Sequence, residues 1–172
     1  MDDELLLLGL LSGSAMHGYH VNEVIERRLP MISSIKPSTA YSVLDRLATR
    51  GFVTAAFERL GRRPERKVYS LTEAGRERFL SLLRENLRSA DLPTHPGDQG
   101  LLFLHALPNE EVLALLAERR AATESLRPAL ERLRDNHAPG STGRLVAEHR
   151  IAHLEAELAW LESVIAGALS RA

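Results

Sequence analysis

Two short runs, Phe52-Val53-Thr54-Ala55-Ala56-Phe57 and Lys67-Val68-Tyr69-Ser70-Leu71, break the periodicity of an otherwise helix-rich chain. Both are rich in aromatic and β-branched residues. Between them lies Leu60-Gly61-Arg62-Arg63-Pro64-Glu65-Arg66, polar and full of turn formers. The combination predicts a β-hairpin with a basic tip. Working backwards, Pro37-Ser38 opens a helix that reaches Arg50, with Gly51 at the glycine position that ends helices. Two shorter helices precede it. The first starts at Asp2 or Asp3 and ends around Ser12-Gly13-Ser14; the second runs from about His17 to Arg28, with Val21, Val24 and Ile25 on one face and Pro30 closing it. Working forwards, Thr72 caps a helix over roughly 73–89. Three helices, a hairpin and a helix in this order are the pattern of a winged helix-turn-helix.

Leu92-Pro93-Thr94-His95-Pro96-Gly97-Asp98, with two prolines and a glycine, reads as a linker. Beyond it the chain is helical: a short segment to Ala106, a long one from Asn109 to about Asn136, and another from Ser141 to Arg171. Pro128 should kink or interrupt the middle one, and 137–143 reads as a turn between antiparallel helices. The expected fold class is mainly α with a small β-hairpin. A winged helix-turn-helix domain over 1–90 is followed by a helical dimerisation domain over 91–172.

Composition removes several functions. The 172 residues include no cysteine, which excludes a disulfide scaffold, a cysteine zinc site and a cysteine nucleophile. Leu5–Leu11 is too short an apolar run to span a bilayer and follows Asp2, Asp3 and Glu4 rather than a basic flank, so no membrane role is expected and the cytoplasm is the expected compartment. The net charge of −1 hides an asymmetry. Residues 36–70 hold eight bases against three acids, a local +5, leaving −6 elsewhere. A basic third in an acidic chain points to a local polyanion site.

On a helical wheel, Ala40, Leu44 and Leu47, with Val43 at the edge, form the inner side of helix three. The opposite side carries Ser38, Ser42, Asp45 and Thr49, flanked by Thr39, Tyr41 and Arg46. Lys36 stands just before it. Small hydroxyls, a phenol and an arginine suit a DNA major groove, and helix N-terminal amides near Ser38 and Thr39 add phosphate affinity. Arg62, Arg63, Arg66 and Lys67 sit where a wing reaches the neighbouring backbone. Each is expected to bind phosphate, so that its loss flattens the slope of log affinity against log salt by about one unit per half-site. Base reading falls to Ser38, Ser42 and Arg46, although Arg46 has the alternative of pairing with Asp45 or Glu23.

Six elements follow one another in a distinctive order: Leu7-Leu8-Gly9-Leu10-Leu11, His17-Gly18-Tyr19, Ser38-Thr39-Ala40-Tyr41, Leu44-Asp45-Arg46-Leu47, Gly51-Phe52-Val53 and the wing block from Gly61 to Arg76. With them, residues 1–88 resemble the PadR family of bacterial transcriptional regulators. Residues 89–172 look like the helical C-terminal domain of the longer members. Two features depart from the family pattern: His20, where an acidic residue is common, and Ser38-Thr39, where glycine commonly precedes the tyrosine of helix three. The resemblance implies a homodimeric repressor of an inverted-repeat operator on double-stranded DNA. Tyr41 and the wing bases would touch phosphate, and Tyr19 would lie at the DNA edge. In some members aromatic residues between the dimer helices stack on planar ligands. That makes Phe79, Phe103 and Trp160 the candidates for a pocket taking a small aromatic or other planar effector, the alternative being plain core packing.

The last helix carries a seven-residue seam, Ala147, Ile151, Leu154, Leu158, Leu161, Ile165 and Ala168. Glutamates flank it, and the preceding helix carries Arg119, Arg120, Arg127, Arg132 and Arg134. An antiparallel pairing of the two is expected, burying Ile151, Leu154, Leu158, Leu161 and Ile165 jointly with a second chain. His149 and His153 have a spacing that can chelate a metal, but only two ligands are visible, and packing or a pH-sensitive polar contact is the favoured reading. No cofactor, metal or catalytic residue is expected, since no glycine-rich phosphate loop, nucleophile elbow or carboxylate pair appears. A winged-helix protein-interaction module without DNA binding is the second reading.

Overall fold

Leu7, Leu8 and Leu11 share the first helix, α1 (Asp2–Leu11), and all three are buried. They meet Ala40, Val43, Leu44 and Leu47 of the third helix, α3 (Pro37–Thr49), in one apolar cluster that also takes Val21 and Ile25 of α2 (Gly18–Arg28). Each fully buried leucine contributes about 1.5–3 kcal/mol of transfer free energy, so the inner side of α3 is fixed by packing and its opposite side is left outward. The computed structural model describes residues 2–29, 35–58, 66–90, 95 and 97–169, which fall in two units, 1–92 and 93–172.

The hairpin is present as β2 (Val53–Glu58) and β3 (Arg66–Leu71), antiparallel, with Val53 opposite Leu71 and Glu58 opposite Arg66. Its other edge differs from the sequence reading. Met16 and His17, expected to lead into α2, form a short strand β1 that pairs with Tyr69 and Val68, giving the order β1-β3-β2. Two residues of pairing occupy backbone groups of β3 that would otherwise form an open edge, and α2 starts one residue later, at Gly18.

The hairpin is tied to the fourth helix, α4 (Glu73–Arg88), by its capping residue. The Thr72 hydroxyl accepts from the Gly75 amide at 3.0 Å and lies 2.7 Å from the Gly51 carbonyl oxygen and 3.0 Å from that of Phe52, to which it can donate. Gly75 is buried in the first turn, so close to the Phe52 carbonyl that a Cβ would collide with backbone.

Glu4 joins three helices' worth of charge. Its carboxylate accepts from Arg78 of α4 at 2.9 Å and from Arg50, just past α3, at 3.4 Å. Burial alone would raise its pKa, but the bonds and charges of Arg78 and Arg50 outweigh it and hold the group below the usual 4.5. Because the folded value is depressed, the stabilisation is complete above about pH 4.5 and is lost as pH falls through the folded pKa. Glu4→Gln should therefore melt lower than the parent at neutral pH, with the gap closing on acidification; a gap independent of pH would refute the linkage.

The second unit comprises α5 (Asp98–Leu102), a 3-10 turn (Leu104–Ala106), α6 (Asn109–Glu124), α7 (Arg127–Asp135) and α8 (Thr142–Leu169). The expected long middle helix is interrupted at Ser125-Leu126. Pro128 has no amide hydrogen and would leave the Glu124 carbonyl unpaired inside a continuous helix, so the chain stops and restarts with the proline in the first turn.

The long helix α8 packs against α6 and α7, whose buried leucines are Leu116 and Leu130. Ion pairs join their margins: Arg120 to Glu162 at 2.6 Å, Arg127 to Glu155 at 3.5 Å, and Arg119 to Glu157. Exposed or partly exposed, these pairs add little stability individually, yet they match basic helices to an acidic one. Ala147, Leu154, Leu158 and Leu161 are buried in this unit of a single chain, with Ile151 and Ile165 half-buried. Leu154, Leu158 and Leu161 are thus covered within the chain by the expected pairing of α8 with the preceding helices.

Candidate nucleic-acid interface

Burial of Ala40, Val43, Leu44 and Leu47 turns Lys36, Ser38, Thr39, Tyr41, Ser42, Asp45, Arg46 and Thr49 outward, and all eight are exposed. Lys36 is the residue before the helix, and Pro37 occupies its first turn, where a missing amide hydrogen costs nothing. The two hydroxyls in the middle of the face are oriented. Ser42 Oγ donates to the Ser38 carbonyl at 2.9 Å and Thr49 Oγ1 donates to the Asp45 carbonyl at 3.0 Å. With their protons used inside the helix, both oxygens offer lone pairs to the outside.

Arg46 pairs with neither alternative partner. Glu23 binds Arg27 at 3.0 Å and lies 3.4 Å from His20, while Asp45 binds Lys67 of β3. Lys36 and Arg46 have no ion-pair partner among the described residues.

Strand alternation puts Lys67 and Tyr69 on the same side of β3, and both reach one oxygen of Asp45. Lys67 Nζ and the Tyr69 hydroxyl, at 3.1 Å, donate to Asp45 Oδ1. The bond from Lys67 holds the Asp45 carboxyl below its usual pKa, against the opposing effect of burial, and the Tyr69 hydroxyl adds to the lowering. Reciprocally, Asp45 raises the pKa of Lys67, while burial raises that of Tyr69. The sequence placed Asp45 on the outward face and Lys67 in the wing without joining them. The available signal was the i, i+2 spacing of a lysine and a tyrosine facing a helix with a single acid.

Tyr19, half exposed, carries the Arg66 guanidinium over its ring at 5.2 Å and stacks on His17 at 5.5 Å. Tyr41 lies against Gly18: a side chain there would meet the rings of Tyr41 and Tyr69, so the glycine of His17-Gly18-Tyr19 permits a close approach. Tyr19, Asn22, Glu23, Arg27, Pro37 and Tyr41 line an open pocket of about 460 Å³. Arg62 and Arg63 lie outside the described residues.

The expected effector residues do not all behave as pocket walls. Phe79 packs on the first unit's core, its ring 3.2 Å from where a Cβ on Gly9 would stand. Phe103 is exposed, and Trp160 is partly exposed with Arg119 over its ring at 5.5 Å. His149 and His153 are both exposed, with their Nε2 atoms 3.1 Å apart, a polar contact rather than packing. Among the described residues no group of three or more His, Asp or Glu side chains could hold a metal, and no helix is long and apolar enough to cross a membrane.

Comparison with known proteins shows what this geometry is similar to. Residues 7–81 match the transcriptional regulator PadR-like family, and residues 101–167 match the virulence activator alpha C-terminal family. The negative transcriptional regulator PadR of Bacillus subtilis is 27% identical over 173 residues, covering 93% of each chain. The crystal structure of that protein in complex with operator DNA superposes with a TM-score of 0.81 at 23% identity, covering 96% of this chain and 98% of the other. Its complex with p-coumaric acid gives 0.73 at 24%, covering 96% and 94%. At such identities the structural likeness speaks for the fold, which is the PadR winged-helix architecture. The family is one of transcriptional regulators; residues 7–81 carry a PadR-like domain, and the chain over nearly its whole length is similar to a PadR regulator.

Proposed function

We propose that the chain is a homodimeric repressor that binds an inverted-repeat operator in the cytoplasm and is released by a small planar effector. The observation that carries the DNA part is the outward face of α3. Lys36, Ser38, Thr39, Tyr41, Ser42 and Arg46 are exposed together there, and the two cations are free of ion pairs among the described residues. Tyr19, Arg66 and Lys67 belong to the same unit and supply phosphate contacts, as would Arg62 and Arg63. Support for repression comes from the B. subtilis relative, a negative regulator, and from its operator complex. The effector reading is supported by that protein's p-coumaric acid complex and by the accessibility of Phe103 and Trp160. Dimer symmetry then requires two half-sites about 10 bp apart, or a multiple of that spacing.

For the dimer surface, the side of α8 opposite its buried leucines is the better candidate. Leu145, Ala152, Ala156 and Ala159 are exposed there in a row, and small side chains let a second helix approach closely. A mobility-shift assay with the chain's own upstream DNA tests the reading. A retained band at nanomolar protein that survives excess non-specific competitor is expected; equal affinity for unrelated duplexes would leave the protein-interaction alternative standing.

The wing cations should not be equivalent. Arg66→Gln should flatten the slope of log affinity against log salt by about one unit per protomer. Lys67→Gln should change it less, because that ammonium is already neutralised by Asp45. Equal slope changes in a salt titration would show that the Asp45 pair opens on DNA.

A further inference from the structure

Asp45 is the only acid on α3, it stands at the centre of the outward face, and its side chain remains 57% exposed despite two bonds. Both bonds converge on Oδ1. The second oxygen, Oδ2, has no partner among the described residues. The carboxylate is therefore anchored from the wing strand, charge-compensated by Lys67, and open on one side.

Resting on the DNA-binding reading above, we propose that Asp45 is a specificity-determining residue that reads a cytosine amino group in the major groove. Tyr69 and Lys67 serve as the positioning residues that aim it. The chemistry selects the base. An ionised carboxylate only accepts hydrogen bonds. Guanine offers N7 and O6 and thymine offers O4, all acceptors, so both repel it. Adenine offers the N6 amino group beside N7, another acceptor. Cytosine offers the N4 amino group beside a C–H, so the carboxylate meets a donor with no neighbouring acceptor on that base.

Two neighbours on the same face reinforce the choice. With their protons spent on helix carbonyls, Ser42 and Thr49 also present acceptors. The ammonium of Lys67 offsets the repulsion that a bare carboxylate would meet between phosphate rows, so that a negative group can enter the groove at all.

The test is selection from a randomised duplex library with the full-length chain, run in parallel for wild type, Asp45→Asn and Tyr69→Phe, after thermal melts establish that each variant folds. The wild type should select cytosine at one position in each half-site. Asp45→Asn, nearly isosteric, should move that position toward adenine, whose N6 and N7 an amide can bind together, with cytosine enrichment falling ~5-fold or more. Tyr69→Phe keeps the buried ring and removes only the aiming hydroxyl. It should weaken the cytosine preference without installing another base, which a purely structural role for Tyr69 would not do. Other positions should be unchanged.

A selected sequence indifferent to residue 45, or a guanine or thymine at the residue-45-dependent position, overturns the inference while leaving DNA binding intact. A wild-type chain that selects no sequence overturns the DNA-binding reading itself. Should Asp45→Asn fail to fold, Tyr69→Phe alone decides: cytosine enrichment equal to wild type counts against the proposal.

Discussion

Gly75→Ala should destabilise the N-terminal unit by at least ~3 kcal/mol, although alanine is ordinarily the better helix former by about 1 kcal/mol. The added Cβ would collide with the Phe52 carbonyl oxygen, and would stand 2.8 Å from its carbon and 2.9 Å from Leu71. Two of these atoms are backbone at the start of the hairpin, so relief requires moving α4 or the sheet. The Phe52 oxygen also accepts the Thr72 amide at 3.1 Å and lies within reach of the Thr72 hydroxyl, so displacement would break the cap as well. Thr72→Val, which deletes the capping oxygen but leaves the space, should cost only about 1–2 kcal/mol. Denaturant melts of the two variants check the order; a Gly75→Ala protein as stable as its parent would show that the close approach relaxes freely.

Ala156→Glu should separate assembly from folding. Residue 156 lies on the exposed side of α8, away from Leu154, Leu158 and Leu161, so the substitution costs the monomer a few tenths of a kcal/mol at most. In a dimer packed through that side it sets glutamate against glutamate in a desolvated contact. The expected result is a monomer by light scattering with an unchanged melt. Loss of the second half-site then lowers operator affinity by ~10²–10⁴-fold, the usual gain from linking two binding events. Leu158→Ala, by contrast, should cost about 2–5 kcal/mol of folding stability. An Ala156→Glu chain that remains dimeric would move the interface elsewhere.

The parts of the fold legible in the sequence are those set by local rules. The hairpin followed from β-branched runs around a turn, the inner side of α3 from the spacing of Ala40, Leu44 and Leu47, and the α6–α7 break from the missing amide hydrogen of Pro128. The short strand Met16–His17 was not legible. Two residues have no periodicity, and only the free edge of β3 makes them a strand.

The α8 seam and its pairing with the preceding helical segment were both legible, the first from the heptad spacing and the second from the match of arginines to glutamates. A heptad pattern reports that a face is covered without saying by which chain, and here α6 and α7 cover it. The outward hydroxyls were readable, whereas the Asp45–Lys67–Tyr69 link joins residues more than twenty apart and depends on how the sheet is seated beside α3.

The placement of the aromatics has a spectroscopic consequence. All three tyrosines, Tyr19, Tyr41 and Tyr69, lie in the N-terminal unit, and the single tryptophan, Trp160, lies in the C-terminal one. Tryptophan emission therefore watches only the helical hairpin, close to the Arg119 guanidinium that overlies the indole. Tyrosine absorbance watches only the winged unit, with Tyr69 at its centre and Tyr19 and Tyr41 on its surface. A single native sample, heated or titrated once, yields two independent optical records, and any lag between them measures how far the DNA-reading and helical halves melt as separate bodies.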